Sequence, residues 1–254
     1  MQINDISLLG VAVVVVMMAC CVSLFVMVDK NMATRLGRVL IYFALSLVVA
    51  CLYVMGLLVL DKWWICMLWA IPMALFTSFA VLKKIRAQVK VEKLYLRIAA
   101  SVLIAMIMGC GVLAFTLPMK ANLVIVVSLA LLSGSIIESM SHALKTYIGS
   151  LYNTKVHSQY MLANGASHME AVAPSIKRAL NSGIIISLQK MTKPVAFTIP
   201  ALLCGMLLGG LSPVLATVVM LITSFTIIAS NILSVVLGLY FIDSAIFDKS
   251  GKLK

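Results

Sequence analysis

Long uninterrupted apolar runs are the feature that most limits how this chain can fold. Each is close to the ~20 residues that a helix needs to cross the hydrocarbon of a bilayer. We predict seven membrane spans, over residues Ile6–Val28, Val39–Leu60, Trp63–Leu82, Ile98–Leu117, Leu123–Ala143, Gly183–Gly210 and Pro213–Ile242. Because the runs are continuous rather than alternating, they do not fit the strands of a transmembrane β-barrel. The sequence therefore predicts an all-α, polytopic membrane helix bundle of about seven transmembrane helices, with residues 1–254 forming a single domain.

The basic residues indicate how the predicted spans lie in the membrane. The chain has 20 Lys and Arg against 8 Asp and Glu, a formal net charge of +12. With the N-terminus outside, most of these basic residues fall in inner loops and in the C-terminal tail, whereas Lys62 and Lys120 fall in outer loops. This asymmetry follows the positive-inside rule, and it suits contact with an anionic inner leaflet of the lipid bilayer rather than with nucleic acid. We therefore expect a multi-pass protein of the bacterial cytoplasmic (inner) membrane, with its C-terminus in the cytoplasm.

The longest polar interruption, a cytoplasmic loop over about residues 145–182, carries two helix-end signals close together. Gly165 can end one helix in the left-handed conformation, which is inexpensive for glycine. Ser167 followed by Glu170 is a capping box that starts the next helix. A helix–glycine–short-helix element at the inner face is typical of a surface that a separate cytosolic subunit holds.

No motif in the sequence indicates catalysis by this chain. The phosphate-binding pattern Gly-x-x-x-x-Gly-Lys-Ser/Thr, the zinc-protease pattern His-Glu-x-x-His and the hydrolase pattern Gly-x-Ser-x-Gly are all absent. None of the six cysteines forms a Cys-x-x-Cys pair, so no metal site is predicted. The three histidines, His168 among them, lie at or below the inner face, where we expect them to be solvated. We expect neither enzymatic activity nor a bound cofactor.

Polar residues within the spans suggest a substrate pathway. Counted from the outer helix ends at 1.5 Å per residue, Glu138, Lys193 and Asn231 lie about 22, 25 and 27 Å deep. Charged groups at such depths usually face a cavity or a partner. We therefore hypothesise a polar layer in which Glu138 and Lys193 can pair. The alternative is that Lys193 extends to the inner headgroups.

Small residues mark predicted helix-packing faces. Gly205 and Gly209 form a Gly-x-x-x-Gly pattern in the sixth predicted span, and Gly134 belongs to a small-residue stripe in the fifth. Pro200 invites a kink, and Ser212-Pro213 can restart a helix.

The order of these features resembles the small iron-export ABC transporter permeases of the FetB type. The match covers roughly residues 133–230 and rests on two groups of residues. They are Gly165, Ala166, Ser167, Glu170 and Ala171, and then Pro200, Gly205, Gly210, Ser212 and Pro213. The chain departs from that family at Ala201, where the family has glycine, at Met206, where it has glutamine, and at Glu138, where asparagine is usual.

The resemblance implies a permease subunit that pairs with a second copy and binds two cytosolic ATPase subunits, which would bind the ATP. It also implies ATP-driven export of a small substrate such as iron or another metal, and a role in metal homeostasis. The coupling residues in loop 162–174 would be Gly165, Ala166, Ser167, Glu170 and Ala171. Two alternatives stay open: an ion-coupled secondary transporter or channel that uses the Glu138/Lys193/Asn231 layer, and a membrane scaffold whose inner loop docks a soluble partner.

Overall fold

The computed structural model describes residues 13, 16–20, 23, 30–59, 62–85, 92–117, 121–192 and 200–246, and all regular structure among them is helical. The chain divides into two compact units, Met1–Val59 and Leu60–Lys254. In the first unit, helix α1 covers Lys30–Val59. The helices described in the second unit are α2 (Trp63–Leu68), α3 (Ala70–Ile85), α4 (Glu92–Thr116), α5 (Ala121–Asn153), α6 (Lys155–Ala163), α7 (His168–Thr192), α8 (Pro200–Leu208) and α9 (Pro213–Ile246).

Five stretches of the described helices are long and apolar enough to cross a membrane. They are Gly37–Gly56, Trp63–Ile85, Leu94–Thr116, Asn122–Asn153 and Pro213–Ser244. These stretches agree with five of the seven predicted spans, so the chain is a multi-pass membrane protein by the length and composition of its helices. The predicted span Ile6–Val28 lies largely outside the described residues. The count of seven and the side on which each terminus lies stay predictions.

The helix at the sixth predicted span, Gly183–Gly210, begins before the predicted start of the span. Helix α7 begins at His168, fifteen residues earlier, and passes through Gly183 without interruption to Thr192. The capping box starts this helix, and Pro174 is accommodated inside it instead of ending it. Residues 193–199 lie outside the described part of the chain, and α8 then covers Pro200–Leu208.

The predicted loop over residues 145–182 is mostly helix as well. At 1.5 Å per residue, the 33 residues of α5 extend about 50 Å, which exceeds the ~30 Å of hydrocarbon. The second half of the predicted loop is the first part of α7. Helix α5 is therefore longer than the hydrocarbon is thick, and α6 and the following turn connect it to α7.

Small residues allow the long helices of the second unit to pack closely. Helix α5 packs against α3, α4, α7 and α9, and α9 also packs against α4 and α7. A Cβ added to Gly183 of α7 would lie 2.9 Å from Ala143 Cβ and 3.1 Å from the Ser139 carbonyl oxygen. A Cβ added to Gly109 of α4 would lie 2.8 Å from Leu132 Cδ1. Small-residue contacts of this kind are typical of helix interfaces in membranes.

The three glycines predicted to be packing residues have different surroundings. A Cβ added to Gly134 or Gly205 meets no neighbouring heavy atom within 4 Å among the described residues. One added to Gly209 meets backbone atoms of its own turn, the carbonyl oxygens of Gly205 and Met206 at 3.3 Å. In the described part of the chain, no other helix therefore packs closely on these three glycines.

Candidate functional site

The predicted turn at Gly165 is confirmed. Gly165 has φ +86° and ends α6. Its N–H donates to the Leu162 carbonyl at 3.1 Å, and the N–H of Ala166 donates to the Met161 carbonyl at 3.1 Å. This pair of bonds is the Schellman motif, which closes the last turn of a helix and favours glycine at the left-handed position. The motif turns the chain sharply between α6 and α7.

The predicted capping box is also present. The N–H of Ser167 donates to Glu170 Oε2 at 2.8 Å, and the N–H of Glu170 approaches Ser167 Oγ at 3.4 Å. Hydrogen bonds with Ser167 lower the pKa of the Glu170 carboxyl, and the bond from the Ser167 backbone contributes more than the bond with its side chain. The two residues therefore fix the direction in which α7 leaves the turn.

Residues of the turn differ in what they can present to a partner. Gly165, Ser167 and Glu170 are exposed, and Ala166 is half-buried. Ala171 is only 2% exposed, and its carbonyl accepts a hydrogen bond of 3.4 Å from Ser158 of α6. Ala171 therefore supports the turn from within. The following helix is longer than predicted, with 25 residues instead of a short segment.

Asp243, near the end of α9, bonds to two other helices at the predicted cytoplasmic end. The buried Tyr147 of α5 donates its hydroxyl to Asp243 Oδ1 at 2.6 Å. The Nε2 of His168, the first residue of α7, lies 2.9 Å from Asp243 Oδ2. An ionised carboxylate can only accept hydrogen bonds, so the imidazole donates here. We call these three residues the Asp243 cluster.

The expectation that His168 is a solvated loop residue is therefore wrong. Its ring pairs with a carboxylate that the sequence places 75 positions away. No local pattern signals such a contact, because neither residue belongs to a motif. The cluster joins the turn at Gly165 to the ends of α5 and α9.

Helix α4 is fastened to α9 next to this cluster. The Arg97 guanidinium donates to the Phe241 carbonyl at 2.9 Å and to Ser244 Oγ at 2.6 Å. A guanidinium near the C-terminal end of a helix also interacts favourably with the helix dipole. The final turns of α9 are thus held by α4, α5 and α7.

A second group of hydrogen bonds joins α5, α7 and α9 deeper in the bundle. Asn231 of α9 is 3% exposed. Its Oδ1 accepts from Ser135 Oγ at 3.1 Å, and its Nδ2 donates to Ser187 Oγ at 3.0 Å. Ser187 is also 2.9 Å from Ser139 Oγ. We call these four residues the Asn231 network. Such bonds between helices stabilise membrane bundles.

The polar layer predicted from Glu138, Lys193 and Asn231 is described only in part. Glu138 is half-buried and lies on α5 between Ser135 and Ser139, so it is at the level of Asn231. Lys193 lies outside the described residues, and so does its predicted pairing with Glu138. The Asn231 amide is engaged by the serines of two neighbouring helices.

The described side chains include no group of three or more His, Cys, Asp or Glu arranged to hold a metal ion. Cys110 is buried in α4 and accepts a hydrogen bond from Ser128 Oγ at 3.1 Å. The described site consists of an exposed, capped turn that is bonded to the ends of long helices.

Comparison with known proteins places the chain in a family. No curated protein and no solved structure matches it significantly. One family model, described as the uncharacterised protein family UPF0014, matches residues 6–247, which is nearly the whole sequence. The chain therefore belongs to the UPF0014 family.

Proposed function

We propose that this chain is the permease subunit of an ABC transporter and that the turn at Gly165 couples it to a separate cytosolic ATPase. The observation that carries the proposal is the turn itself, because it is exposed and capped and is also bonded to the long helices through His168. The family is permease-like and associated with ABC transporters, which supports the same function.

An apolar surface next to the turn also supports a protein partner. Tyr152, Val156 and Tyr160 are exposed by 66%, 81% and 67%. They are four residues apart, and helical hydrogen bonds continue across Thr154, so they share one face. Tyr152 lies about 47 Å along α5 from its first residue, well past the ~30 Å of hydrocarbon. Apolar side chains grouped outside the bilayer usually mark a protein contact.

In the proposed mechanism, ATP binding draws two ATPase subunits together and moves the turn at Gly165. The movement switches the helices between inward-facing and outward-facing arrangements. ATP stays on the partner, and two copies of this chain pair around the pathway in the bacterial inner membrane. The resemblance to iron-export permeases favours export of iron or another metal, and the carboxylate of Glu138 is a suitable cation contact within the membrane.

The test is capture of the ATPase from native cells. Cells that express the tagged chain are treated with a membrane-permeable crosslinker, solubilised in mild detergent, and the purified complex is analysed by mass spectrometry. We expect an ATPase subunit in stoichiometric amount. The variant Tyr160→Glu should lose the ATPase. The control Phe115→Glu alters an exposed residue at the end of α4 that lies away from Arg97, and it should keep the ATPase. Absence of any ATPase from the crosslinked wild-type complex would overturn the proposal.

The second candidate is an ion-coupled transporter or channel, favoured by the common level of Glu138 and Asn231 within the bundle. This alternative requires no ATPase. Proteoliposomes that contain only this chain would then show gradient-driven ion flux, and Glu138→Gln would abolish it. The permease proposal expects no flux until the ATPase and ATP are added.

A further inference from the structure

We propose that Asp243 is the positioning residue that passes movement of the Gly165 turn directly into α9, so that α5, α7 and α9 move as one body. This inference rests on the proposed function, because it concerns how the motion of an ATPase reaches the membrane. It begins from the Asp243 carboxylate, whose two oxygens bond to residues of two different helices.

The two partners of Asp243 connect the turn and the interior of α5 to the end of α9. His168 is the first residue of α7 and follows the capping serine of the turn directly. Tyr147 is fully buried in α5, so its hydroxyl bond fixes the carboxylate from the interior side. The side chain of Asp243 is 13% exposed and that of His168 is 31% exposed, so water competes only weakly for this pair. Hydrogen bonds to a carboxylate are stronger than hydrogen bonds between neutral groups in such surroundings.

The Asn231 network repeats the same three-helix junction at a second level. Ser135 and Asn231 are 96 positions apart, and Tyr147 and Asp243 are also 96 positions apart. Both α5 and α9 therefore advance twelve residues between the two levels, or about 18 Å. Two helices joined in the same register at both levels cannot slide along each other without breaking one of the junctions.

Helix α7 completes this unit between the two levels. Gly183 lies so close to α5 and α9 that an added Cβ would be 2.9 Å from Ala143 Cβ and 3.4 Å from Val235 Cγ2. Ser187, one turn further along α7, joins the Asn231 network. The three helices are thus in contact at the Asp243 cluster, at Gly183 and at the Asn231 network.

Without the bond from His168 to Asp243, movement of the turn would reach α9 only through later contacts of α7, at Gly183 and at the Asn231 network, or through α6 and α5. Along α7, Ser187 lies nineteen positions after His168, and the segment between them contains Pro174, which removes one helical hydrogen bond. With the bond, movement of the turn acts on the end of α9 at once. In this proposal Asp243 is the most direct of the connections between the turn and α9.

The experiment compares movement of the turn with movement of α9 in the complete complex. An environment-sensitive fluorescent amino acid is placed at Met169 on the turn or at Tyr240 on α9, both of which are exposed. The permease and its ATPase are reconstituted in nanodiscs, and the fluorescence change on adding ATP and vanadate is recorded. In the wild type we expect both probes to respond.

The variant Asp243→Asn keeps an acceptor for Tyr147 but removes the charge that faces His168. We expect its fluorescence response at position 240 to fall about fivefold or more, which is the fold-change at the lower end of typical coupling between sites. The response at position 169 and the bound ATPase should be retained. The charge-swapped pair His168→Asp with Asp243→His should restore the response at 240. Val236→Ala, which alters an exposed residue of α9 away from the cluster, should match the wild type.

Each outcome separates this inference from the proposed function. An unchanged response at 240 in Asp243→Asn overturns the inference, and so does a wild-type protein in which only the turn responds. If the wild type binds no ATPase, or if neither probe responds, the proposed function fails instead. Should Asp243→Asn not reach the membrane, His168→Ala tests the same bond, because it leaves the Tyr147 contact in place.

Discussion

The contact at Gly183 gives the most direct quantitative test of the three-helix unit. In Gly183→Ala, the new methyl group would lie 2.9 Å from Ala143 Cβ, about 0.6 Å closer than the shortest comfortable carbon–carbon separation. It would also lie 3.1 Å from the Ser139 carbonyl oxygen. Neither atom can rotate away, since one is a Cβ and the other belongs to the backbone. Helix α7 must therefore move.

The cost of that movement follows from two opposing effects. Overpacking a well-filled interface typically costs about 1–3 kcal/mol. Replacing glycine by alanine inside a helix returns up to about 1 kcal/mol. The shift would also lengthen the 2.9–3.0 Å bonds of Ser187, which lies one turn further along α7. We therefore expect the free energy of unfolding of Gly183→Ala to be roughly 1–3 kcal/mol below that of a Gly→Ala variant that meets no obstruction.

The assay is reversible unfolding by increasing SDS in mixed micelles, followed by circular dichroism. The matched control is Gly134→Ala, where the added methyl meets no heavy atom within 4 Å among the described residues. Gly238→Ala is an intermediate case, because the obstructing atom is the terminal methyl of Met140, which can rotate. Equal stability of Gly183→Ala, Gly134→Ala and the wild type would refute the close packing of α7.

Three further predictions concern the turn and the network. Gly165→Val should insert into the membrane normally but lose ATP-dependent transport, because a backbone with φ +86° is strained for a β-branched residue. If the variant is missing from membrane fractions, the glycine serves folding and a coupling role is contradicted. Because the pKa of Glu170 is lowered in the folded protein, the capping box should hold above the ordinary pKa of glutamate and weaken as pH falls through the lowered value. Hydrogen exchange at the Ser167 amide, corrected for intrinsic rates, should therefore be faster at the acid end, and constant protection would exclude the assignment. Asn231→Ala should cost roughly 0.6–1.7 kcal/mol in the SDS assay, the range for bonds between membrane helices; a neutral result would mean that Ser135 and Ser187 re-pair without it.

Local chemistry explains why part of the site could be predicted from the sequence. Glycine tolerates a left-handed backbone, and a serine three residues before a glutamate can exchange hydrogen bonds with it, so Gly165, Ser167 and Glu170 identified the turn. The apolar runs likewise predicted helices near the right places, because hydrophobic length is a property of the segment itself.

The rest depended on contacts between distant segments. His168 and Asp243 are 75 positions apart, and only the packing of α7 against α9 brings them together. Pro174 lies inside α7, and the residues around it, Ala171, Val172 and Ser175, are buried in the bundle. The Gly-x-x-x-Gly pattern indicates Gly205 as a packing residue, whereas the crowded glycines are Gly109, Gly183 and Gly238, whose neighbours belong to other helices.

The equal spacing of the two junctions on α5 and α9 also restricts how chains of this kind can change in length. Inserting one residue between Ser135 and Tyr147 would advance the lower part of α5 by 1.5 Å and turn it by about 100°. Tyr147 would then face away from Asp243 while Ser135 still held Asn231. An insertion or deletion in this part of α5 is therefore compatible with both junctions only when α9 carries the same change between Asn231 and Asp243. The number of residues between the two junctions must therefore stay the same in α5 and in α9.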